Sequence, residues 1–135
     1  MKTSITLLLG IISIAFFGGA QTSAGQKDPI LGIWKGTSLC QVKNSSCNDE
    51  IVVCHISKGS AVHTYKFVMN KMVNNAEVSM GELEFIYDEA KSSLTCHSVS
   101  RYDSFWKFDV KQNTMDGTLT VDHNTLFRVI KLVKT

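Results

Sequence analysis

The chain has 135 residues, 44% of them hydrophobic, and its 14 basic and 12 acidic side chains give a formal net charge of +2. The charged residues are scattered without runs, so the sequence indicates neither a nucleic-acid partner nor binding to an anionic membrane surface. The chain contains one proline, no low-complexity segment and no internal repeat, which excludes linkers and solenoid folds.

The first 24 residues read as a leader. Lys2 precedes the apolar residues 5–17, and small residues follow them. This pattern predicts a signal peptide cleaved after Ala20 or Ala24, because the peptidase requires small side chains at its site. A membrane anchor is the alternative, but the apolar stretch is shorter than the ~20 residues of a spanning helix. We therefore expect residues 25–135 to form one secreted or periplasmic domain that does not insert into a membrane.

Turn residues divide this domain into eight short runs in which apolar and polar side chains alternate, as is typical of β-strands. The predicted strands span residues 32–42, 50–57, 62–69, 81–87, 94–98, 104–110, 115–121 and 126–133. Antiparallel strands joined by short turns bury their apolar face by closing on themselves, which also removes both sheet edges. The sequence therefore predicts an all-β, eight-stranded up-and-down meander barrel, with a β-sandwich as the alternative.

One turn has two candidate positions. Gln112-Asn113 and Asp116-Gly117 both carry turn residues. The earlier position is favoured, because it pairs Val110 with Met115 and keeps the apolar faces of both strands inward.

Strand alternation places several aromatic side chains inside the predicted barrel. These are Trp34, Tyr65, Phe67, Phe85, Tyr87, Trp106 and Phe108. The lumen of an eight-stranded barrel can be filled by side chains or can hold one small ligand. The aromatic residues therefore either line a pocket or form a solid core.

The head of the first strand reads Gly32-Ile33-Trp34, and Arg128 lies on the last strand. This combination resembles the Gly-x-Trp motif and terminal-strand arginine of calycin-type barrels, the lipocalins and fatty-acid-binding proteins. The resemblance implies that Trp34 closes one barrel end and that Arg128 either packs over it or points inward to a ligand carboxylate. The mature chain is shorter than a typical lipocalin, and no stretch between the first two strands could form a helical lid. The chain is also similar to small exported bacterial proteins.

Arg128 carries the functional expectation. It is the one charged side chain that alternation directs inward, while every acidic side chain falls outward or in a turn. Because burial of an unpaired guanidinium costs roughly several kcal/mol, the side chain must reach water or find an acceptor. A ligand carboxylate could be that acceptor.

Four cysteines in an exported chain indicate disulfide bonding. Cys40 and Cys47 bracket the first loop, so a bridge between them is the first choice, with Cys40 to Cys54 as the runner-up. Alternation places Cys96 inward and Cys54 outward, so these two can remain free.

Two histidines are candidates for a metal site. If residues 58–60 form a three-residue turn, His55 and His63 face each other inside the barrel and could ligate zinc or copper. No H-x-x-x-H or C-x-x-C spacing supports such a site, so no metal and no cofactor are expected.

No nucleophile, base and orienting carboxylate can be assembled, so we expect no catalytic residues and no enzyme activity. The sequence favours an exported binding protein for a small apolar molecule, with or without a carboxylate. The expected ligand-binding residues are Arg128, Trp34, Tyr65, Phe67, Phe85, Trp106, Phe108, His55, His63 and Tyr87. The alternative is a solid-cored interaction module or inhibitor that acts through its loops, and a metal-binding protein or an enzyme is favoured less.

Overall fold

The computed structural model describes Gly25 and residues 27–135, so the expected leader and its cleavage sites after Ala20 or Ala24 lie outside the described residues. The strands are β1 (Gly32–Cys40), β2 (Glu50–Lys58), β3 (Thr64–Val73), β4 (Ala76–Asp88), β5 (Ser93–Val99), β6 (Asp103–Lys111), β7 (Thr114–Val121) and β8 (Thr125–Lys134). Within this part of the chain, no helix is long and apolar enough to cross a membrane.

The strands form one closed barrel. Each strand is antiparallel to the next in sequence, and β8 pairs with β1 so that Ile130 lies opposite Ser38. The predicted eight-stranded up-and-down barrel is confirmed, and the β-sandwich alternative is wrong because all eight strands belong to a single closed sheet.

The pairing of β6 with β7 confirms the Gln112-Asn113 turn, since Val110 lies opposite Met115. Gly117 lies within β7, opposite Phe108. An added Cβ at Gly117 would overlap the phenylalanine ring, so the glycine is needed for this close approach.

Three phenylalanine rings pack in the barrel interior. The ring centroid of Phe67 lies 4.3 Å from that of Phe85 and 5.7 Å from that of Phe108, and all three side chains are buried. Their tilted and edge-on arrangements are those that aromatic pairs prefer. The alternation predicted for β3, β4 and β6 is therefore confirmed, and this part of the lumen is solid core.

The inward and outward faces of strand β2 are exchanged relative to the prediction. Its inward side chains are Val52, Cys54 and Ile56, whereas His55 lies on the outer face. Val53 is buried but does not belong to the core cluster. The apolar residues at positions 51–53 are consecutive, so the sequence carried no alternation there from which to assign the faces.

The expected pairing of His55 with His63 is wrong for the same reason. The β2–β3 loop comprises residues 59–63, so Lys58 lies opposite Tyr65 and His55 lies opposite Val68. His63 is an exposed loop residue with a φ of 60°. Glu84 holds this loop, because its Oε1 accepts hydrogen bonds from the backbone N–H and the hydroxyl of Ser60 at 2.9 and 2.7 Å.

Strands β3 and β4 extend further than predicted and form a two-stranded arm that ends in the Asn74-Asn75 turn. Both turn residues have positive φ angles, as a two-residue hairpin requires. Every residue from 73 to 82 is exposed on the arm. Because this part of β4 has no buried face, its sequence has no alternation of apolar and polar residues from which the strand could be predicted.

Candidate functional site

The two ends of the barrel differ in construction. We call the end covered by residues 28–30 the closed end. There the Trp34 indole N–H donates to the Ile30 carbonyl at 2.9 Å, and the Lys134 ammonium donates to the Pro29 carbonyl at 2.6 Å. Lys134 Nζ also lies 5.6 Å from the Trp34 ring centroid. Trp34 therefore closes this end, as the resemblance implied, but the cation beside it is Lys134 and not Arg128.

Asp28 fixes the covering segment to the barrel wall. Its carboxylate accepts hydrogen bonds from the Tyr65 hydroxyl at 2.6 Å and from Lys58 at 2.5 Å. Burial by itself would raise the pKa of Asp28, but the hydrogen bonds from Lys58, Tyr65 and the Ile30 N–H outweigh it and lower the pKa below 3.8. Burial and the hydrogen bond to Asp28 together raise the pKa of Tyr65.

At the opposite end, which we call the open end, the interior contains a cavity of about 280 Å³. Its walls are mostly apolar, and its lining residues are Ser38, Glu50, Val52, Cys54, Met69, Met80, Trp106, Phe108, Leu119, Arg128 and Ile130. The volume is at the lower limit of the roughly 300–1,000 Å³ typical of ligand sites.

Arg128 lies in the wall of this cavity, with 14% of its side chain exposed. Its Nη1 donates to the Ser38 hydroxyl and the Asn48 carbonyl, both at 3.1 Å, and lies 3.7 Å from Glu50 Oε2. The inward orientation of Arg128 is confirmed. Its acceptors come from the protein, so the guanidinium does not depend on a ligand for a partner.

Glu50 was missed by the sequence analysis. The reversed faces of β2 turn its carboxylate toward the cavity, which corrects the expectation that every acidic side chain lies outward or in a turn. Glu50 Oε1 also lies 3.6 Å from Lys71 Nζ. The inward series Tyr65, Phe67, Met69 would have placed Lys71 here, had the alternation of β3 been continued.

The rim of the open end thus brings together two cations, Arg128 and Lys71, and one anion, Glu50. The local balance of these three groups is one positive charge. Because Arg128 and Glu50 are largely buried in the wall of an apolar cavity, their fields are less screened than those of surface charges. This arrangement favours an anionic group at the mouth and an apolar body inside.

The expected ligand-binding residues do not form one site. Arg128, Trp106 and Phe108 line the cavity, while Phe67 and Phe85 pack in the core against Phe108. Trp34, Tyr65 and Tyr87 belong to the closed end, where His63 shares a cleft with the two tyrosines. His55 lies on the outer face, 2.7 Å from Glu77 Oε2.

The Cys40–Cys47 disulfide is confirmed, and the Cys40 to Cys54 alternative is therefore wrong. Such a bond is compatible with an extracellular location. Cys54 and Cys96 are free and buried. Cys54 lines the cavity instead of facing outward, and burial raises the pKa of its thiol to about 12.

Among residues 27–135, no group of three or more histidine, cysteine, aspartate and glutamate side chains is placed to hold a metal ion. Comparison with known proteins finds no matching family model and no matching curated protein. The closed antiparallel barrel is consistent with a calycin-like fold, and such a fold does not by itself specify a function.

Proposed function

We propose that this chain is an exported, non-enzymatic, calycin-like binding protein that takes a small apolar molecule bearing a carboxylate into the cavity at its open end. The observation that supports the proposal is an apolar cavity of about 280 Å³ with Arg128 and Lys71 at its mouth against a single carboxylate, Glu50. The apolar body of the ligand would lie against Trp106 and Phe108. Its carboxylate would take a place beside Arg128.

Glu50 has a defined role in this proposal. It holds both cations while the cavity is free, and an incoming carboxylate competes with it for them. Two substitutions should therefore change the affinity for the ligand in opposite directions. Arg128→Leu removes an attractive charge, whereas Glu50→Gln removes a competing one.

The test is titration of the mature protein with a short-chain fluorescent fatty acid and with the matched neutral alcohol. We expect the acid to bind at micromolar concentration and more tightly than the alcohol. Arg128→Leu should weaken the binding of the acid by about 1.5–3 kcal/mol, the range for hydrogen bonds to charged groups, and Glu50→Gln should strengthen it. Lys131→Met is the matched control, because Lys131 is an exposed cation on the same strand as Arg128.

Two results would contradict the proposal. One is a well-folded wild-type protein that binds neither acid nor alcohol. The other is a loss of affinity in Glu50→Gln equal to that in Arg128→Leu, which would mean that the ion pair serves the fold and not an anionic ligand.

The second candidate is an interaction module, and the β3–β4 arm favours it. In the described structure, β4 pairs with β5 through Ile86–Asp88 alone, so the preceding part of β4 offers an edge to an added strand. Val73, Val78 and Met80 are exposed on this arm. Two results together would support this function. The wild-type protein would bind no ligand in the cavity, and it would bind a partner protein that the Val78→Lys variant does not bind.

A further inference from the structure

One side of the open-end cavity is formed by sulfur-containing side chains. Cys54, Met69 and Met80 all line it, and they come from the consecutive strands β2, β3 and β4. We call these three residues the sulfur wall. The ion pair of Arg128 and Glu50 involves different side chains of the same cavity.

The register of the sheet places the members of the sulfur wall side by side. Cys54 and Met69 are directly opposite each other on β2 and β3, and side chains paired in this way have Cβ atoms ~5 Å apart. On β4, Met69 lies opposite Gly81 and Asn70 lies opposite Ser79, so Met80 is the extra residue of a β-bulge. Bulges commonly redirect a side chain next to a functional site.

The sulfur wall is closed at its base and reachable at its mouth. Cys54 and Met69 are buried, whereas Met80 is 43% exposed although it lines the cavity. Its flexible thioether therefore borders both solvent and the cavity that Cys54 and Met69 line. An ion could arrive at Met80 and pass to the buried pair without disturbing the barrel.

The chemistry of these ligands is selective. One thiolate and two thioethers form a soft set, which suits Cu(I), whereas zinc takes thiolate, imidazole and carboxylate ligands. A Cu(I) ion bound to one thiolate forms a unit with no net charge, which an apolar cavity accepts more readily than a bare thiolate. The Trp106 ring lines the same cavity and could add a cation–π contact.

From these observations we propose that the sulfur wall binds one Cu(I) ion. Coordination replaces the thiol proton of Cys54 by the metal, and the proton passes to solvent. The copper stays Cu(I) and the sulfur atoms are not oxidised, so no electron acceptor or donor is required. The Cys40–Cys47 disulfide takes no part.

The experiment uses the mature, disulfide-intact protein. Cu(I) is supplied as its coloured bicinchoninate complex in oxygen-free buffer with ascorbate, and loss of colour reports transfer to the protein. We expect wild type to withdraw one equivalent of copper and to quench Trp106 fluorescence. A Trp106→Phe variant should bind the ion and lose that quenching, which assigns the signal to the cavity. Zinc at the same concentration should not compete.

The chain offers matched controls for both ligand types. Cys96 is the other free buried cysteine, and Met115 is a buried methionine, and neither lines the cavity. Cys54→Ala and Met80→Leu should each weaken copper binding at least tenfold, whereas Cys96→Ala and Met115→Leu should leave it unchanged. Because Met80 is partly exposed, its variant keeps the test informative even if Cys54→Ala folds poorly.

Three results would overturn the copper proposal. In the first, the wild-type protein withdraws no copper from the chelator. In the second, Cys96→Ala weakens copper binding as much as Cys54→Ala does. In the third, zinc fully prevents the binding of copper. The fate of the ligand proposal is separable, since Arg128→Leu should abolish the preference for the fatty acid and leave copper transfer intact. Met80→Leu, a conservative apolar change, should weaken copper transfer and leave the preference for the fatty acid intact.

Discussion

The closed and open ends of this barrel are made from the same eight strands but differ in how their interiors are filled. At the closed end, Trp34 is fully buried and residues 28–30 cover it. At the open end, Arg128 and Glu50 replace apolar side chains on the inner surface, and a cavity of about 280 Å³ lies beneath them. From this difference we expect the closed end to contribute more to the stability of the barrel than the polar, partly unfilled open end.

This division follows from the size of the barrel. An eight-stranded lumen is just wide enough to be filled by side chains, so a cavity remains only where the inward side chains leave space between them. The phenylalanine cluster of Phe67, Phe85 and Phe108 lies between the two ends, and Phe108 belongs to both the cluster and the cavity wall. Changes that enlarge the cavity should therefore cost less than changes that create a new one.

The largest expected effect is that of Phe85→Ala. Phe85 is fully buried against Phe67 and Phe108, so truncation leaves a void and should lower the free energy of unfolding by about 3–5 kcal/mol. Leu119→Ala, which only enlarges the existing cavity, should cost about 2 kcal/mol, the lower limit for this kind of change. Denaturant unfolding measures both values.

The proposed difference between the two ends would be wrong if Leu119→Ala lowered the free energy of unfolding more than Phe85→Ala. A Leu119 variant that is less stable than the Phe85 variant would mean that the cavity region is as tightly packed as the core. Equal m-values for both variants and wild type are needed for the comparison, since a change in m would signal an altered unfolded state.

The second expected effect concerns the disulfide of the open end. Cys40 and Cys47 close a loop with a sequence separation of 7, and Asn48, an acceptor of Arg128, follows directly after it. The double change of Cys40 and Cys47 to Ala should lower stability by about 2–3 kcal/mol and weaken fatty acid binding. Hydrogen exchange should accelerate at residues 41–49, while the Trp34 indole N–H stays protected. Equal acceleration at Trp34 would show that the two ends do not act separately.

Much of this architecture could be predicted from the sequence. In β4 the apolar residues Leu83, Phe85 and Tyr87 share one face, and the charged residues Glu82, Glu84 and Asp88 share the other, so the inner face could be assigned although Ile86 interrupts the pattern. The turn at Gln112-Asn113 could be identified because the choice between two positions also fixed the faces of both neighbouring strands. Clear alternation on both sides of a turn was sufficient.

The site could be predicted only in part, and a single strand accounts for most of the error. In β2 the apolar side chains at positions 51–53 give no period of two, and a shift of one residue exchanges the faces. That exchange moved His55 outward and brought Glu50 and Cys54 to the cavity. The ambiguity in β2 therefore hid one member of the rim, Glu50, and one member of the sulfur wall, Cys54. In β8 the apolar side chains also occur in consecutive pairs, and Arg128 was identified because Ile130 and Leu132 follow it on the same face.

The smallest expected effect belongs to the closed end and is visible in its pH dependence. The pKa of Asp28 is lowered in the folded protein by Lys58 and Tyr65, against the opposing effect of burial. A lowered pKa means that the stabilisation is complete above the ordinary value of 3.8 and is lost as the pH falls below it through the folded-state pKa. At neutral pH, Asp28→Asn should cost about 1.5 kcal/mol, as expected for hydrogen bonds to a charged group.

The gap in stability between wild type and Asp28→Asn should therefore be constant near neutral pH and narrow as the carboxylate becomes protonated. Asp116→Asn, a change at an exposed strand position, is the control and should show neither the loss nor the pH dependence. Copper transfer and fatty acid binding should be unchanged in both variants, because Asp28 lies at the end of the barrel opposite the cavity. If Asp28→Asn instead altered ligand affinity, the covering segment would be coupled to the open end, and the two ends would have to be treated as one cooperative unit.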